Sequence, residues 1–162
     1  MKKIQILLIV FAFILLCGCS STKVDKKIDK NKELYLKYVK ELQKVKKSSD
    51  EEIPFDINVD YDKLTDEEVR FQVILDNPKE EIKDVTAVGI HNLPTNDIFP
   101  STGIFEVKQN LIPNKKPSGI ILVGYIPYEG KIKDLKCEVK VLVTYKLNNK
   151  KHKVYYVTKK TK

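Results

Sequence analysis

Apolar residues follow three different spacings along this chain of 162 residues. An almost continuous apolar run, Ile4–Leu16, follows two lysines at the N-terminus. Between residues 31 and 47 the apolar positions step by three and four, which is typical of an amphipathic helix. From residue 53 onward apolar and polar residues alternate, which is typical of strands that bury one face. The pattern therefore predicts a leader, a helix and a β domain, in that order.

The β region contains about seven segments with strand periodicity, separated by turns rich in Pro, Gly and Asn. They are residues 55–62, 69–77, 82–90, 103–107, 119–126, 135–147 and 152–158. Asn148 and Asn149 lie between the last two segments and predict a hairpin turn. Short strands at this spacing favour a mainly β fold, an antiparallel two-sheet sandwich of immunoglobulin-like arrangement. The chain has no Trp, so the Cys…Trp…Cys hallmark is absent and the resemblance is one of architecture.

The N-terminal segment has the features of an export signal. Its apolar run is shorter than the roughly 18 residues that a membrane-spanning helix needs, which favours a signal peptide. The run ends in Leu16-Cys17-Gly18-Cys19, which resembles the lipobox of bacterial lipoproteins. That resemblance implies that Cys19 becomes a lipidated N-terminus and that the residues before it are removed. The alternative is an uncleaved signal anchor, which would also place the domain outside the membrane.

These observations predict four segments. They are a signal peptide (1–18), a lipidated flexible tether (19–30), a lysine-rich amphipathic helix (31–49) and a β-sandwich domain (50–162). Three roles are open for the apolar stripe of the helix, which includes Tyr35 and Leu42. It can pack on the following domain, pair with a second copy or a partner helix, or lie on the lipid surface.

The net charge of +8 is unevenly distributed. Residues 23–47 hold ten lysines and four acids, whereas residues 48–162 hold equal numbers of basic and acidic side chains. Arg70 is the only arginine, and lysine is poorly suited to the forked contacts that read nucleic acids. No nucleic-acid partner is therefore expected. The basic stem instead predicts a second contact with the membrane, in addition to the lipid.

Opposite charges also collect in two parts of the β region. Residues 131–162 hold eleven lysines and two acids, and residues 50–68 hold nine acids and one lysine. Two interpretations remain open. The two segments are complementary edge strands of one domain, or the lysines face an anionic polymer such as wall teichoic acid, or an acidic partner.

Cys137 is the only cysteine of the mature chain that carries no lipid in this interpretation, so no internal disulfide forms. It alternates with apolar residues such as Leu135 and Val139, which predicts a buried and inert thiol; a reactive thiol is the alternative. No GxGxxG, HExxH, GxSxG or phosphate-loop motif occurs, and no cofactor is expected.

The acidic residues between 56 and 67 are spaced like the ligands of an EF-hand loop, but Tyr61 stands where that loop needs Gly. A solvated strand face is the simpler interpretation, and no metal is expected. The alternative is a calcium site of another type, built from Asp60, Asp62, Asp66 and Glu67.

The longest irregular stretch, residues 91–102, is the candidate binding loop, because binding residues on rigid scaffolds often lie on such loops. Its candidate contact residues are His91, Asn92, Asn96, Asp97 and Phe99. The alternative is a crossover between sheets held by its own polar groups. Hydrolysis is not favoured, since three potential triad residues crowded into one loop are seldom a triad.

Taken together, the sequence predicts a lipid-anchored protein on the extracytoplasmic face of the cell membrane. Its predicted role is a non-enzymatic binding or interaction module at the cell envelope. The predicted partner is an unknown envelope protein or an anionic wall polymer. A structural spacer, or an accessory subunit of an envelope complex without a small-molecule ligand, is the alternative.

Overall fold

The computed structural model describes residues 21–115 and 119–160, with side chains from residue 27 onward. The predicted signal peptide and Cys19 lie outside the described residues. The helix and strands are α1 (Ser21–Lys44), β1 (Asp56–Lys63), β2 (Glu68–Asp76), β3 (Ile82–His91), β4 (Ser101–Thr102), β5 (Gln109–Leu111), β6 (Ile120–Pro127), β7 (Cys137–Leu147) and β8 (Lys150–Lys160). A 3-10 turn, Ile132–Asp134, precedes β7.

The strands form two antiparallel sheets. The first has the order β1-β2-β6, and the second has the order β4-β3-β7-β8, with β5 also paired to β3. The sets β1-β2-β6 and β3-β7-β8 correspond to strands A-B-E and C-F-G of an immunoglobulin sandwich. The predicted mainly β, immunoglobulin-like sandwich is therefore confirmed. Asn148 and Asn149 turn the β7–β8 hairpin with φ of 50° and 61°, as a two-residue type I′ turn requires.

Helix α1 begins earlier than the sequence predicts. It starts at Ser21, so the flexible tether expected for residues 19–30 is helical from that residue onward. The stretch 21–30 contains no Gly or Pro, and lysine is a good helix former, so nothing in this segment stops the helix from extending. Asn31, where the sequence predicts the helix to begin, lies inside it.

The chain leaves α1 after Lys44 instead of continuing to residue 49. The serines that follow bind the edge of β8. Ser48 Oγ accepts a hydrogen bond from the Val157 amide at 2.9 Å, and Ser49 Oγ accepts one from the Tyr155 amide at the same distance. The Ser49 amide donates to the Tyr155 carbonyl at 2.8 Å. Residues 48–49 therefore cover part of this sheet edge.

Apolar side chains form two cores, one on each side of the second sheet. The larger core lies between the sheets and includes Phe71, Leu75, Ile126, Val139 and Val154. The smaller core lies between α1 and the outer face of the second sheet; its buried members are Tyr35, Leu42, Val88, Ile90, Ile104 and Leu142. The helix stripe thus packs on the domain, which confirms the first of the three predicted roles.

Residues 103–107, predicted as a strand, form a turn instead. Gly103 has φ of 71°, and its amide donates to the Glu106 carboxylate at 2.8 Å. A side chain at Gly103 would bring its Cβ within 2.3 Å of the Val85 carbonyl oxygen, so this close approach requires glycine. Strands β4 and β5, on either side of the turn, pair with β3.

Cys137 lies on the inner face of β7 and is 3% exposed. Burial raises the pKa of its thiol to about 11, so the reactive thiolate is scarce at neutral pH. The prediction of a buried cysteine is confirmed.

Candidate functional site

A groove of about 310 Å³ lies on the outer face of the second sheet, where α1 leaves part of that face open. Side chains from α1, β3, β7, β8 and the segment before β5 line it. We call it the basic groove, because its charged lining residues are four lysines and one carboxylate: Lys108, Lys146, Lys151, Lys153 and Asp84. Tyr38 and Thr144 also line it.

The register of the β7–β8 hairpin explains why these lysines meet. Lys146 lies opposite Lys151, and Thr144 lies opposite Lys153. Lys83 on β3 lies opposite Lys146 on its other side, so three lysines form one row across three strands. Like charges directly opposite each other destabilise a sheet. Carboxylates partly offset this repulsion, since Lys83 pairs with Glu81 and Lys146 pairs with Asp84.

A β-bulge in β3 places the only carboxylate of the groove. The register between β3 and β7 shifts between Lys83 and Thr86, and Asp84 has φ of 54°. Its Oδ2 lies 2.6 Å from Nζ of Lys146. That hydrogen bond holds the pKa of Asp84 below its ordinary value, with further contributions from Lys108 and Lys151. The single negative charge of Asp84 therefore does not neutralise the three lysines around it.

Lys153 connects the groove to the helix. Its Nζ binds the Glu41 carboxylate at 2.7 Å, and the Tyr155 hydroxyl donates to the same carboxylate. Partial burial opposes ionisation of Glu41, but these hydrogen bonds hold its pKa below the ordinary value. Lys153 also lines a second, shallower groove along α1, whose other charged residues are Lys37, Lys40, Lys44, Glu33 and Glu41. Because the two grooves share Lys153, we call their lysines together the lysine track.

The acidic segment 50–68 does not neutralise the C-terminal lysines. Lys146, Lys153 and Lys159 pair with Asp84, Glu41 and Glu138, which lie outside that segment. The two segments meet through the pair His152–Glu51, with Nδ1 2.9 Å from Oε1, and through aromatic contacts of Phe55 with Tyr145 and of Tyr61 with Lys160. Of the two interpretations of the segregated charge, the structure therefore favours lysines that face outward.

Three residues of the predicted binding loop have structural roles. His91 lies at the end of β3, between the rings of Phe71 and Phe99. Asn92 pairs with β7, since its Oδ1 accepts from the Glu138 amide at 2.8 Å. Phe99 packs against the helix core, and its carbonyl accepts a hydrogen bond from the Tyr35 hydroxyl. The loop is not the predicted crossover between sheets, because β4, which follows it, pairs with β3 in the same sheet.

Asn96 and Asp97, the other two loop residues, are exposed. Thr95 fixes Asp97 through its hydroxyl, which donates to the carboxylate and accepts from the Asp97 amide. A binding role for this tip stays a prediction.

The four carboxylates of the alternative calcium site do not form a metal site. Asp62 is engaged by Arg70, whose Nε and Nη2 both donate to it, and Asp66 pairs with Lys63. Among residues 21–115 and 119–160, no three His, Cys, Asp or Glu side chains come together in a way that could hold a metal ion.

Burial of His91 predicts a pH effect on stability. Burial holds its pKa below the ordinary value, although the bond from Nε2 to the Tyr125 carbonyl (3.1 Å) opposes this. The unfolded chain then binds more protons than the folded one as the pH falls below about 6.5, so acidification reduces stability. We expect the melting temperature to fall from pH 7 to pH 5, and less steeply in His91→Gln.

His152→Gln is the matched control for this experiment. His152 stacks on Tyr145 and binds Glu51 near the surface, so its replacement should leave the fall in melting temperature in place. An equal slope in wild type and His91→Gln would contradict the assignment to His91.

The fold and the groove define an immunoglobulin-like β-sandwich that carries a docked helix and a basic outer face. No protein-family model matches the sequence, and no curated protein matches it either. Among solved structures, the chain is similar to the GAE domain of GGA2p from Saccharomyces cerevisiae, with a TM-score of 0.44 and 14% identity over 71% of this chain and 96% of that one. Within the described residues, no helix has the length and apolar character needed to cross a membrane.

Proposed function

We propose that this protein is a lipid-anchored surface lipoprotein that acts as a non-enzymatic binding module at the cell envelope. The basic groove is its binding site, and an anionic envelope polymer with repeated phosphate or carboxylate groups is its ligand. The observation that carries this proposal is the meeting of four lysines with one carboxylate on the open outer face of the second sheet.

The shape of the lysine track supports a polymer over a single small anion. A groove of about 310 Å³ is at the small end of ligand pockets and has room for one charged unit. The track continues past Lys153 onto Lys37, Lys40 and Lys44 of α1, so further units of one chain would meet further lysines. Lysine ammonium groups on flexible stems suit repeated point charges better than one fixed geometry.

The anchor proposed at Cys19 would place the groove close to the membrane. Tyr38, which lines the groove, is 17 residues beyond the first residue of α1, a distance of about 26 Å along a helix. A groove at that height would lie among polymers that leave the membrane surface. The same stem lysines would also attract anionic lipid headgroups at short range.

A non-enzymatic role is part of the proposal, and the two histidines support it. His91 is 5% exposed and bonded to a main-chain carbonyl, and His152 is stacked on Tyr145 and bonded to Glu51. His91 is thus engaged in packing, and His152, although it lines the basic groove, is held by Tyr145 and Glu51.

Binding of a defined glycerol-phosphate polymer to the full-length protein in detergent tests the proposal. Lys108→Gln with Lys151→Gln should weaken binding about tenfold, a loss of about 1.4 kcal/mol, because two charges leave the groove. Both side chains are exposed, so folding should be retained. Binding should also weaken as salt is raised.

Lys133→Gln with Lys136→Gln is the matched control. It removes the same charge from the exposed turn before β7, outside the groove. An equal loss in both double variants would show attraction by net charge alone and contradict the groove as a site. Absence of binding by the unaltered protein would favour the spacer or accessory-subunit alternative.

A further inference from the structure

Strand β6 exposes a row of apolar side chains on the outer face of the first sheet. Ile121 is 56% exposed, and Val123 and Tyr125 are each 42% exposed. The strand contains no charged residue, in a chain of which 32% is charged. Ile74 of β2 lies opposite Ile121 and widens the row. Exposed apolar surface of this kind marks an interaction site when it is contiguous.

A comparison with β3 and β7 shows what β6 lacks. Those strands also carry apolar residues on both faces, and α1 covers the outer set, which includes Val88, Ile90 and Leu142. In β6 burial alternates strictly, with the inner residues buried and the outer residues exposed. Nothing in the described part of the chain covers this outer row. Strand β6 therefore has the composition of a strand buried on both faces, but only its inner face is covered.

β6 is also an edge strand, and it differs from the other sheet edges. Edges attract further strands unless charge, shortness or a covering segment blocks them. Strand β1 carries Asp56, Asp60 and Asp62 on its outer face, and residues 48–49 cover part of β8, which also holds five lysines. Strands β4 and β5 have two and three residues. The eight-residue β6 has only Pro127, at its end, as a blocking residue.

Hydrogen bonding identifies the free backbone groups of this edge. In an antiparallel ladder, alternate residues point both their N–H and C=O groups away from the neighbouring strand. The Tyr125 carbonyl points away from β2, since it accepts the hydrogen bond from His91. Val123 and Ile121 lie two and four residues before Tyr125, so their N–H and C=O groups also point away from β2. Neither residue bonds through these groups to another described residue.

We propose that β6 pairs antiparallel with β6 of a second copy of this chain, about a two-fold axis at Leu122. In this register Ile121 of each copy lies opposite Val123 of the other, and each pair exchanges two N–H···O=C bonds. The Tyr125 carbonyls keep their bonds to His91. The two three-stranded sheets become one six-stranded sheet, and the two exposed apolar rows lie side by side.

A second copy is the occupant that these features favour. The free backbone groups of Ile121 and Val123 are two N–H donors and two C=O acceptors. Under two-fold symmetry they pair with the same groups of a second copy, as an isologous interface requires. The absence of charge from β6 removes the repulsion that identical strands would otherwise have. A common membrane would hold the copies at high effective concentration, so a small interface is sufficient.

Disulfide trapping in intact envelopes tests the pairing with the full chain. Two differently tagged copies are expressed together, one with Ile121→Cys and the other with Val123→Cys, and diamide oxidises thiols that meet. Directly opposed residues lie within the range of Cα separations that a disulfide accepts. We expect a mixed covalent dimer of twice the mass of one chain. Cys137 is buried and adds little background.

Two comparisons make the result specific. Ile98→Cys with Val107→Cys places thiols at positions that are 83% and 85% exposed but off β6, and it should give no mixed dimer. Ile121→Cys in both copies places the thiols diagonally, about 7–8 Å apart, and should give clearly less. If the thiols on β6 are accessible but give no more mixed dimer than the Ile98 and Val107 pair, the proposal is overturned. Equal yields from the opposed and diagonal pairs would overturn the register.

Discussion

Replacement of Cys19 by serine is expected to abolish acyl labelling and leave an unprocessed precursor in the membrane fraction. Serine offers no thiol for a thioether bond, so the lipid cannot be attached, and processing at the lipobox depends on that attachment. The loss should be complete, because the proposal assigns the whole modification to this one residue. Metabolic labelling with a fatty acid and the size of the product on a gel measure it.

Cys17→Ser provides the matched control for that experiment. Cys17 lies two residues before Cys19 in a chemically similar setting, and the lipobox resemblance implies that it is removed with the signal peptide. We expect this variant to be labelled and processed normally. Normal labelling of Cys19→Ser, or loss of labelling in Cys17→Ser, would contradict the assignment of the lipid to Cys19.

Leu42→Ala is expected to destabilise the protein by about 2–5 kcal/mol, the range for truncating a fully buried leucine. Leu42 has no exposed surface and lies in the core between α1 and the second sheet. The ion pair between Lys153 and Glu41 joins the same elements, but both side chains are about one third exposed. Pairs of this exposure contribute about 0–1 kcal/mol, so apolar packing dominates the docking of the helix.

The measurements are urea unfolding and hydrogen exchange of the α1 amides. If the helix undocks before the sandwich unfolds, the loss will show mainly as faster exchange in α1. Leu36→Ala, on the exposed side of the same helix and 44% exposed, is the control and should change stability by less than about 0.5 kcal/mol. Equal behaviour of the two variants would contradict the docked position of α1.

The docking of α1 connects the proposed anchor with the proposed site. Because the helix packs directly on the sheet that carries the basic groove, the groove moves with the stem as one body. The proposed pairing through β6 involves the other sheet, so it would leave the groove of each copy open. A dimer would therefore present two lysine tracks above the membrane, which favours a polymer long enough to contact both.

The β architecture could be read from the sequence because period-two alternation is a local property. Every strand with that alternation over eight or more residues was found, and the Asn148-Asn149 turn was recognised from residues that tolerate positive φ. The segment 103–107 was wrongly predicted as a strand. Its turn depends on the contact between Gly103 and the Val85 carbonyl, which only the folded chain shows.

The basic groove, by contrast, could be predicted only in part. The lysine-rich C-terminal third was visible in the sequence, and the alternative of an outward-facing basic surface was left open. Tyr38 and Lys108 could not be added to it, because they lie 99 and 29 residues before the first residue of the β7–β8 hairpin. The bulge at Asp84 could not be predicted from the neighbouring residues, because Asp occurs at the edges of many strands and turns.

By itself the sequence determined the fold class, the charged stem and the predicted lipid anchor, because each depends on a period, a composition or a short motif. The tertiary structure alone decided which apolar positions are covered. Val88 and Leu142 look the same in sequence as Ile121 and Val123, since all four interrupt an alternating pattern with an extra apolar residue. Helix α1 packs over the first two, whereas the other two are exposed. That difference arises from packing between segments distant in the chain, which local periodicity cannot predict.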